Sequence, residues 1–169
     1  MSAISAALFR IARELGRQTI LCATPEPERA QPLLPDTDVL VVNRGEAAAL
    51  LSTSAEGRDL LQRLMHVGPS NVLLTLGQDG VAALIGEELV HQPAFEVDVV
   101  DTTGAGDAFI GALAASLAEG RSMTDALRRG LAAGACAVTK EGAQTSMPHR
   151  DAIEAMLQRA DDTANAESD

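Results

Sequence analysis

Apolar positions recur at helical spacing over residues 3–15, where Ile4, Leu8, Ile11 and Leu15 are interleaved with Arg10, Arg13 and Glu14, and Gly16 supplies a C-terminal stop. This pattern predicts an amphipathic helix. Residues 19–23 form a short apolar run of strand type, after which Pro25, Pro27, Pro32 and Pro35 argue against regular structure until about Asp38. The uninterrupted apolar run at residues 39–42 suits a strand covered on both faces, as in a parallel sheet between helices. Helical patterns follow at 46–51 and 56–66, then a strand at 71–76 and a turn at Gly77-Gln78-Asp79-Gly80. Residues 81–85 and 89–91 flank Gly86-Glu87-Glu88 in the order of a hairpin. Residues 95–100 read as a further strand. Two Ala- and Gly-rich helices are expected at 104–117 and 124–139, the second capped by Ser122 or Thr124, and their small residues allow close approach to a sheet or a ligand. A last helix is expected at 149–159, and residues 161–169 are polar and acidic enough to be disordered. The alternation predicts an α/β fold, a mainly parallel sheet flanked by helices, with ligands at the carboxyl ends of its strands.

Composition narrows the function. A chain of 169 residues fits one domain. With 13 Lys and Arg against 24 Asp and Glu, the net charge of −11 opposes binding to nucleic-acid backbones and anionic membranes. An aromatic content of 2%, with no Trp or Tyr, removes base-stacking platforms and leaves an aliphatic core. Cys22 and Cys136 stand far apart in apolar surroundings, outside any zinc or disulfide spacing, and read as buried reduced thiols. No apolar run reaches the roughly 18 residues of a membrane span, and no secretory pattern is visible, so a cytoplasmic protein is expected. None of this forbids a local phosphate cradle of backbone NH groups inside an acidic protein.

Such a cradle is suggested by Asp101-Thr102-Thr103-Gly104-Ala105-Gly106-Asp107, which joins the 95–100 run to an apolar helix face of Phe109, Ile110, Leu113 and Leu117. Gly104 and Gly106 permit a tight turn whose NH groups point at an anion with the helix dipole behind them. A carboxylate at Asp107 is out of place beside an anion unless it has work there, and accepting a proton from an attacking hydroxyl is that work. A dinucleotide fingerprint fails because Phe109 stands where Gly or Ala is needed, and no Gly-Lys-Ser/Thr exists for a Walker loop. A first-turn acid that merely complements the helix dipole is the plain alternative.

The run resembles the second signature of the PfkB carbohydrate kinases, and of their ribokinase branch in particular, of the form Asp-Thr-x-Gly-Ala-Gly-Asp. Upstream, Asn43-Arg44-Gly45-Glu46 is similar to the family's Asn-x-x-Glu, and Thr75-Leu76-Gly77-Gln78-Asp79-Gly80 to its Thr-Leu-Gly-x-x-Gly loop. Downstream, Gly142-Ala143-Gln144-Thr145-Ser146-Met147-Pro148 is close to the ribokinase pattern Gly-Ala-Gln-x-Ser-x-Pro. The resemblance implies a ribokinase-like α/β fold over residues 1–160, the acidic tail 161–169, and ATP-dependent phosphoryl transfer to a sugar hydroxyl, ribose being favoured. It implies Asp107 as base, with NH groups of Gly104, Ala105 and Gly106 as the anion hole. Asn43 and Glu46 would organise Mg²⁺ through waters, and Thr75, Gly77, Gly80 and Gly106 would contact the nucleotide. Leu131 falls where many ribokinases carry Asn or His near adenine. A K⁺ site would draw on Asp101, Thr103, Ala137, Lys140, Gly142 and Ser146, several through backbone carbonyls. As the only lysine, Lys140 has a plainer reading as a partner for a helix C-terminus.

Family members of this type are about twice as long, and the resemblance implies that the sugar-binding segment and lid belong to a first half not represented in these residues. The fold is therefore expected to be truncated at its N-terminal side, with an open sheet edge near residues 19–23. Expected partners are ATP and a small sugar, together with either a second copy or a separate N-terminal half. A non-catalytic ATP-binding or interaction module is the alternative function.

Overall fold

A computed structural model describes residues 3–166. The residue contacts divide it into two compact units, one reaching to His91 and one starting at Gln92, and each is described in turn.

The first unit is built on a five-stranded sheet in the order β1-β2-β3-β4-β5. Its strands are β1 (Ile20–Cys22), β2 (Val39–Asn43), β3 (Asn71–Thr75), β4 (Val81–Ile85) and β5 (Glu88–Gln92). β1 and β2 run parallel, as do β2 and β3, whereas β4 runs antiparallel to β3. β5 follows β4 through Gly86 and Glu87, as the hairpin pattern predicts. Parallel neighbours need long crossovers, and these are α2 (Arg44–Leu51) and α3 (Gly57–His66) between β2 and β3, with the 27–36 segment between β1 and β2. Leu21, Leu40, Val42, Val72, Leu74 and Leu84 meet Leu50 of α2 and Leu60, Leu61 and Leu64 of α3 in one core cluster. Their alternates Val39, Val41, Leu73 and Ala83 are buried as well, so these strands are covered on both faces.

Two sequence expectations fail here. The proline-rich stretch is regular: Pro27–Asp36 is 3-10 helix containing Pro32 and Pro35. A 3-10 helix accepts the φ that proline imposes, and its threefold repeat stacks Pro27, Ala30 and Leu33 on one buried edge. The second failure concerns the first helix, α1 (Ala3–Glu14), which forms as predicted but buries another face. Ala6 and Phe9 pack against the core cluster, whereas Ile4, Leu8, Ile11 and Leu15 are 71, 60, 50 and 68% exposed.

Among the described residues the second unit holds three helices, α4 (Ala105–Ala118), α5 (Met123–Val138) and α6 (Arg150–Ala166). Residues 95–100 form no strand, although burial still alternates from Phe95 to Asp98. Val100 donates its NH to the Val138 carbonyl at 2.7 Å, and Val99 and Val100 are exposed. Ser122 rather than Thr124 caps α5, accepting from the Asp125 NH at 3.1 Å. The small residues of α4 and α5 serve the approach of these helices to each other: a Cβ on Gly130 would lie 2.9 Å from the Phe109 ring. The acidic tail is helical through Ala166, where disorder was expected from residue 161. Asp161 is held by an ion pair with Arg128, and Asp162 accepts from Gln158 at 3.0 Å, so its acids have local partners. Residues 167–169 lie outside the described residues. Both cysteines are half-buried rather than buried, and neither forms a disulfide. Burial pushes the Cys136 thiol pKa up, keeping it protonated. Among the described residues no helix is long and apolar enough to cross a membrane.

Candidate active site

In the first unit the candidate residues gather at the carboxyl ends of neighbouring parallel strands. Asn43 and Thr75 end β2 and β3 and are paired in register. Asn43 also caps α2: its side chain accepts from the Glu46 NH, and Glu46 Oε2 accepts from the Asn43 NH, each at 2.9 Å. This reciprocal pair is a capping box, so a helix start accounts for the Asn-x-x-Glu spacing by itself. It also holds the Glu46 carboxylate at the strand ends, where open α/β sheets bind ligands. Gly77 and Gly80 bracket the short 3-10 turn from β3 to β4, closed by Leu76 donating to the Gly80 carbonyl at 2.8 Å. Thr75 Oγ1 donates to the Val42 carbonyl at a long 3.4 Å, tying the hydroxyl only loosely.

In the second unit the chain reverses at Gly104, which caps α4 with φ +80°. Only glycine takes this conformation without strain, and space adds a second constraint: a Cβ would lie 2.8 Å from Met147 Cε and 3.1 Å from the Ala143 oxygen. At Gly106 the opposite holds, since an added Cβ would meet nothing within 4 Å. The Ala105 NH makes a long turn bond to the Thr102 carbonyl at 3.3 Å, while the NH groups of Gly104, Gly106 and Asp107 take no partner among the described residues. Unpaired NH groups with the helix dipole behind them are what an anion requires. Asp107 sits in this first turn with its side chain exposed.

Asp101 ties this turn to the loop after α5. Its Oδ1 accepts from the Thr103 NH and its Oδ2 from the Gly142 NH, both at 2.9 Å. These bonds, Gly142 first, favour the charged form and hold the carboxyl pKa below its ordinary 3.8. The Lys140 NH donates to the Ala137 carbonyl at 3.2 Å, and the Lys140 side chain is exposed. Ser146 is fully buried and its hydroxyl donates to the Ala143 carbonyl at 3.1 Å. Thus Asp101, Thr103 and Gly142 are joined directly, and Ser146 reaches the same loop through Ala143. Leu131 lies buried on α5.

Asp107 also lines one end of a cleft of about 310 Å³ that follows α4 past Gly111 and Ala115 to Glu119, with Met147, Arg150 and Arg129 opposite. Its charges are largely paired. Arg129 binds Glu154 through two contacts and Arg150 binds Glu119, which depresses the pKa of both carboxyl groups. Met147 and Ala143, which wall in Gly104, are the residues that sequence reasoning missed. They fall inside the 142–148 motif but carry no reactive group to mark them.

Among the described residues no cluster of three or more His, Cys, Asp or Glu could hold a metal directly.

Residues 2–150 match the model of the pfkB family carbohydrate kinases. The ribokinase of Staphylococcus aureus is 35% identical over 147 residues, covering 83% of this chain and 48% of that protein. The aminoimidazole riboside kinase of Salmonella typhimurium is 38% identical over 112 residues, covering 63% of this chain and 35% of that one. Among solved structures, Arabidopsis thaliana ribokinase complexed with ribose and ATP superimposes with a TM-score of 0.85 at 31% identity, over 91% of this chain and 52% of that one. The chain thus spans at most about half the length of these relatives. With the fold, the four motifs and the family match in agreement, this chain belongs to the pfkB family of carbohydrate kinases.

Proposed function

We propose that this chain supplies the nucleotide-binding and phosphoryl-transfer half of an ATP-dependent sugar kinase, with ribose the favoured acceptor. The observation that carries the reading is the first turn of α4: NH groups without partners at Gly104 and Gly106, open space over Gly106, and an exposed carboxylate at Asp107. Asp107 takes the proton of the acceptor hydroxyl as that oxygen attacks the γ-phosphorus and the bond from that phosphorus to the β,γ-bridging oxygen breaks, with ADP as the leaving group. The NH groups of Gly104, Ala105 and Gly106 receive the charge that builds on the transferred phosphoryl oxygens. The Ala105 NH becomes available by giving up its long bond to Thr102.

Thr75, Gly77 and Gly80 of the first unit, and Gly106 and Leu131 of the second, are assigned to the nucleotide. Leu131 offers adenine an apolar contact rather than a hydrogen bond. Asn43 and Glu46 are assigned to hydrated Mg²⁺, which neutralises phosphate charge when bound. Asp101, Thr103, Ala137, Lys140, Gly142 and Ser146 are assigned to K⁺, Lys140 through its carbonyl because an ammonium would repel the ion. A K⁺ there adds positive charge close to the anion hole. Both relatives named for their acceptors, the ribokinase and the riboside kinase, favour an acceptor containing ribose.

The test is ADP formation from ATP and ribose with Mg²⁺ and K⁺, using this chain together with the part of a ribokinase that it does not span. Transfer that depends on ribose and falls in Asp107→Asn supports the reading. Equal rates for the two proteins remove Asp107 as the base.

A further inference from the structure

We infer that His91, which lies outside every motif singled out in the sequence, is a positioning residue for the nucleotide loop at residues 77–80. Its imidazole holds the turn from behind through the Asp79 carbonyl, so that the NH groups of Gly77 and Gln78 stay in place for phosphate oxygens. The inference deepens the kinase reading above and rests on it for the identity of the ligand.

Three observations lead to it. First, the turn has no side-chain anchor of its own: no residue of the 3-10 turn Gly77–Asp79 is buried, and it is bracketed by Gly77 at φ +63° and Gly80 at φ +86°. Glycine reaches such angles without strain and leaves them as readily, so an outside contact is needed to keep the conformation. Secondly, the carbonyls of Leu76, Gly77 and Gly80 each accept from a backbone NH of the same turn, at 3.3, 3.1 and 2.8 Å. The Asp79 carbonyl accepts from none of them; its partner among the described residues is His91 Nε2, at 3.1 Å, from the end of β5. A carbonyl oxygen only accepts, so Nε2 carries the proton and the bond fixes the ring tautomer. Thirdly, the NH groups of Gly77 and Gln78 have no partner among the described residues. Thr75, just before them, ends β3 in register with Asn43 at the end of β2.

A bond that merely fastened the end of the β4-β5 hairpin would stabilise the fold and leave ligand affinity alone. Two features favour positioning. The bond goes to the peptide that joins Asp79 to Gly80, next to a glycine whose φ sets the turn, and not to β4. His91 is also exposed, where a single hydrogen bond adds little to global stability. A local hold on two donor groups acts directly on an anion that both must reach, because loose donors have to be ordered at the moment of binding.

The experiment compares this chain with its His91→Gln, His91→Asn and His91→Ala variants by urea midpoint, by hydrogen exchange of the Asp79 and Gly80 amides, and by calorimetric titration with Mg-ATP. Glutamine places an amide nitrogen where Nε2 stands, whereas asparagine places one near Nδ1 and falls short of the carbonyl. In His91→Ala and His91→Asn the expected result is loop exchange faster by about twofold to tenfold and Mg-ATP binding weaker by a similar factor. His91→Gln stays near wild type in both, and all four urea midpoints stay together. Unchanged loop exchange in His91→Ala overturns the proposal, and so does faster exchange with Mg-ATP affinity intact. Equal losses in His91→Gln and His91→Ala also overturn it, because the Nε2 donor would then not be what holds the turn. A wild type that binds no Mg-ATP overturns the kinase reading and the ligand named here, while the exchange rates, measured without nucleotide, still decide whether His91 holds the turn.

Discussion

Replacing Asp107 by Asn preserves the shape of the first turn of α4 while removing the proton acceptor. The expected effect is a fall in kcat of about 10²- to 10⁴-fold, with little change in ATP affinity, measured by coupled ADP release and by calorimetry. A comparable loss of both would mean that Asp107 shapes the anion site instead. Gly104 permits a second test. Gly104→Ala places a Cβ against Met147 and Ala143 at φ +80°, costing about 1–2 kcal/mol for the left-handed backbone alone. The urea midpoint should fall, and adding Met147→Ala should restore only part of it, because the Ala143 backbone and the dihedral remain; full recovery would show that the methionine contact was the whole cost. The need for Gly at 104 was legible from the motif. The residues that crowd it were not, because Ala143 and Met147 stand some forty positions away in sequence.

At the scale of elements, Asp101 joins the turn before α4 to the loop after α5 through two backbone NH groups. Its folded pKa is depressed, so the contribution is fully present above the ordinary value of 3.8 and disappears as pH falls through the lower folded value. Wild type should therefore lose stability below about pH 4 by a component that Asp101→Asn lacks, seen as converging urea midpoints when the two are compared from pH 6 down to pH 3. A constant difference over that range would separate Asp101 from the effect. Periodicity located most elements within a residue or two, including the hairpin, but ended the last helix at 159 where it runs to Ala166. It failed at residues 95–100, where an alternating pattern forms no strand, and at 27–36, where proline φ suited a 3-10 helix. In both cases the pattern of one segment could not report what lay beside it.

Across the whole molecule the net charge of −11 acts on any anionic ligand. Binding of Mg-ATP should weaken little, or strengthen, as choline chloride rises from about 0.01 to 0.15 M, because screening reduces repulsion from the acidic surface. A steep loss with salt, as nucleic-acid binders show, would place an extended basic surface at the site. By itself the sequence determined the α/β class, the family resemblance and the identity of the candidate residues. Those properties depend on local spacing: apolar period, turn residues, and short motifs whose reactive groups lie within a few positions of one another. Only the tertiary structure decided that the Asn43 and Glu46 side chains form a capping box, that Asp101 reaches Gly142, and that α1 turns Phe9 inward and its aliphatic stripe outward. These depend on which surfaces the rest of the chain leaves available. A helix with two apolar faces carries no local signal for which of them its own chain will cover.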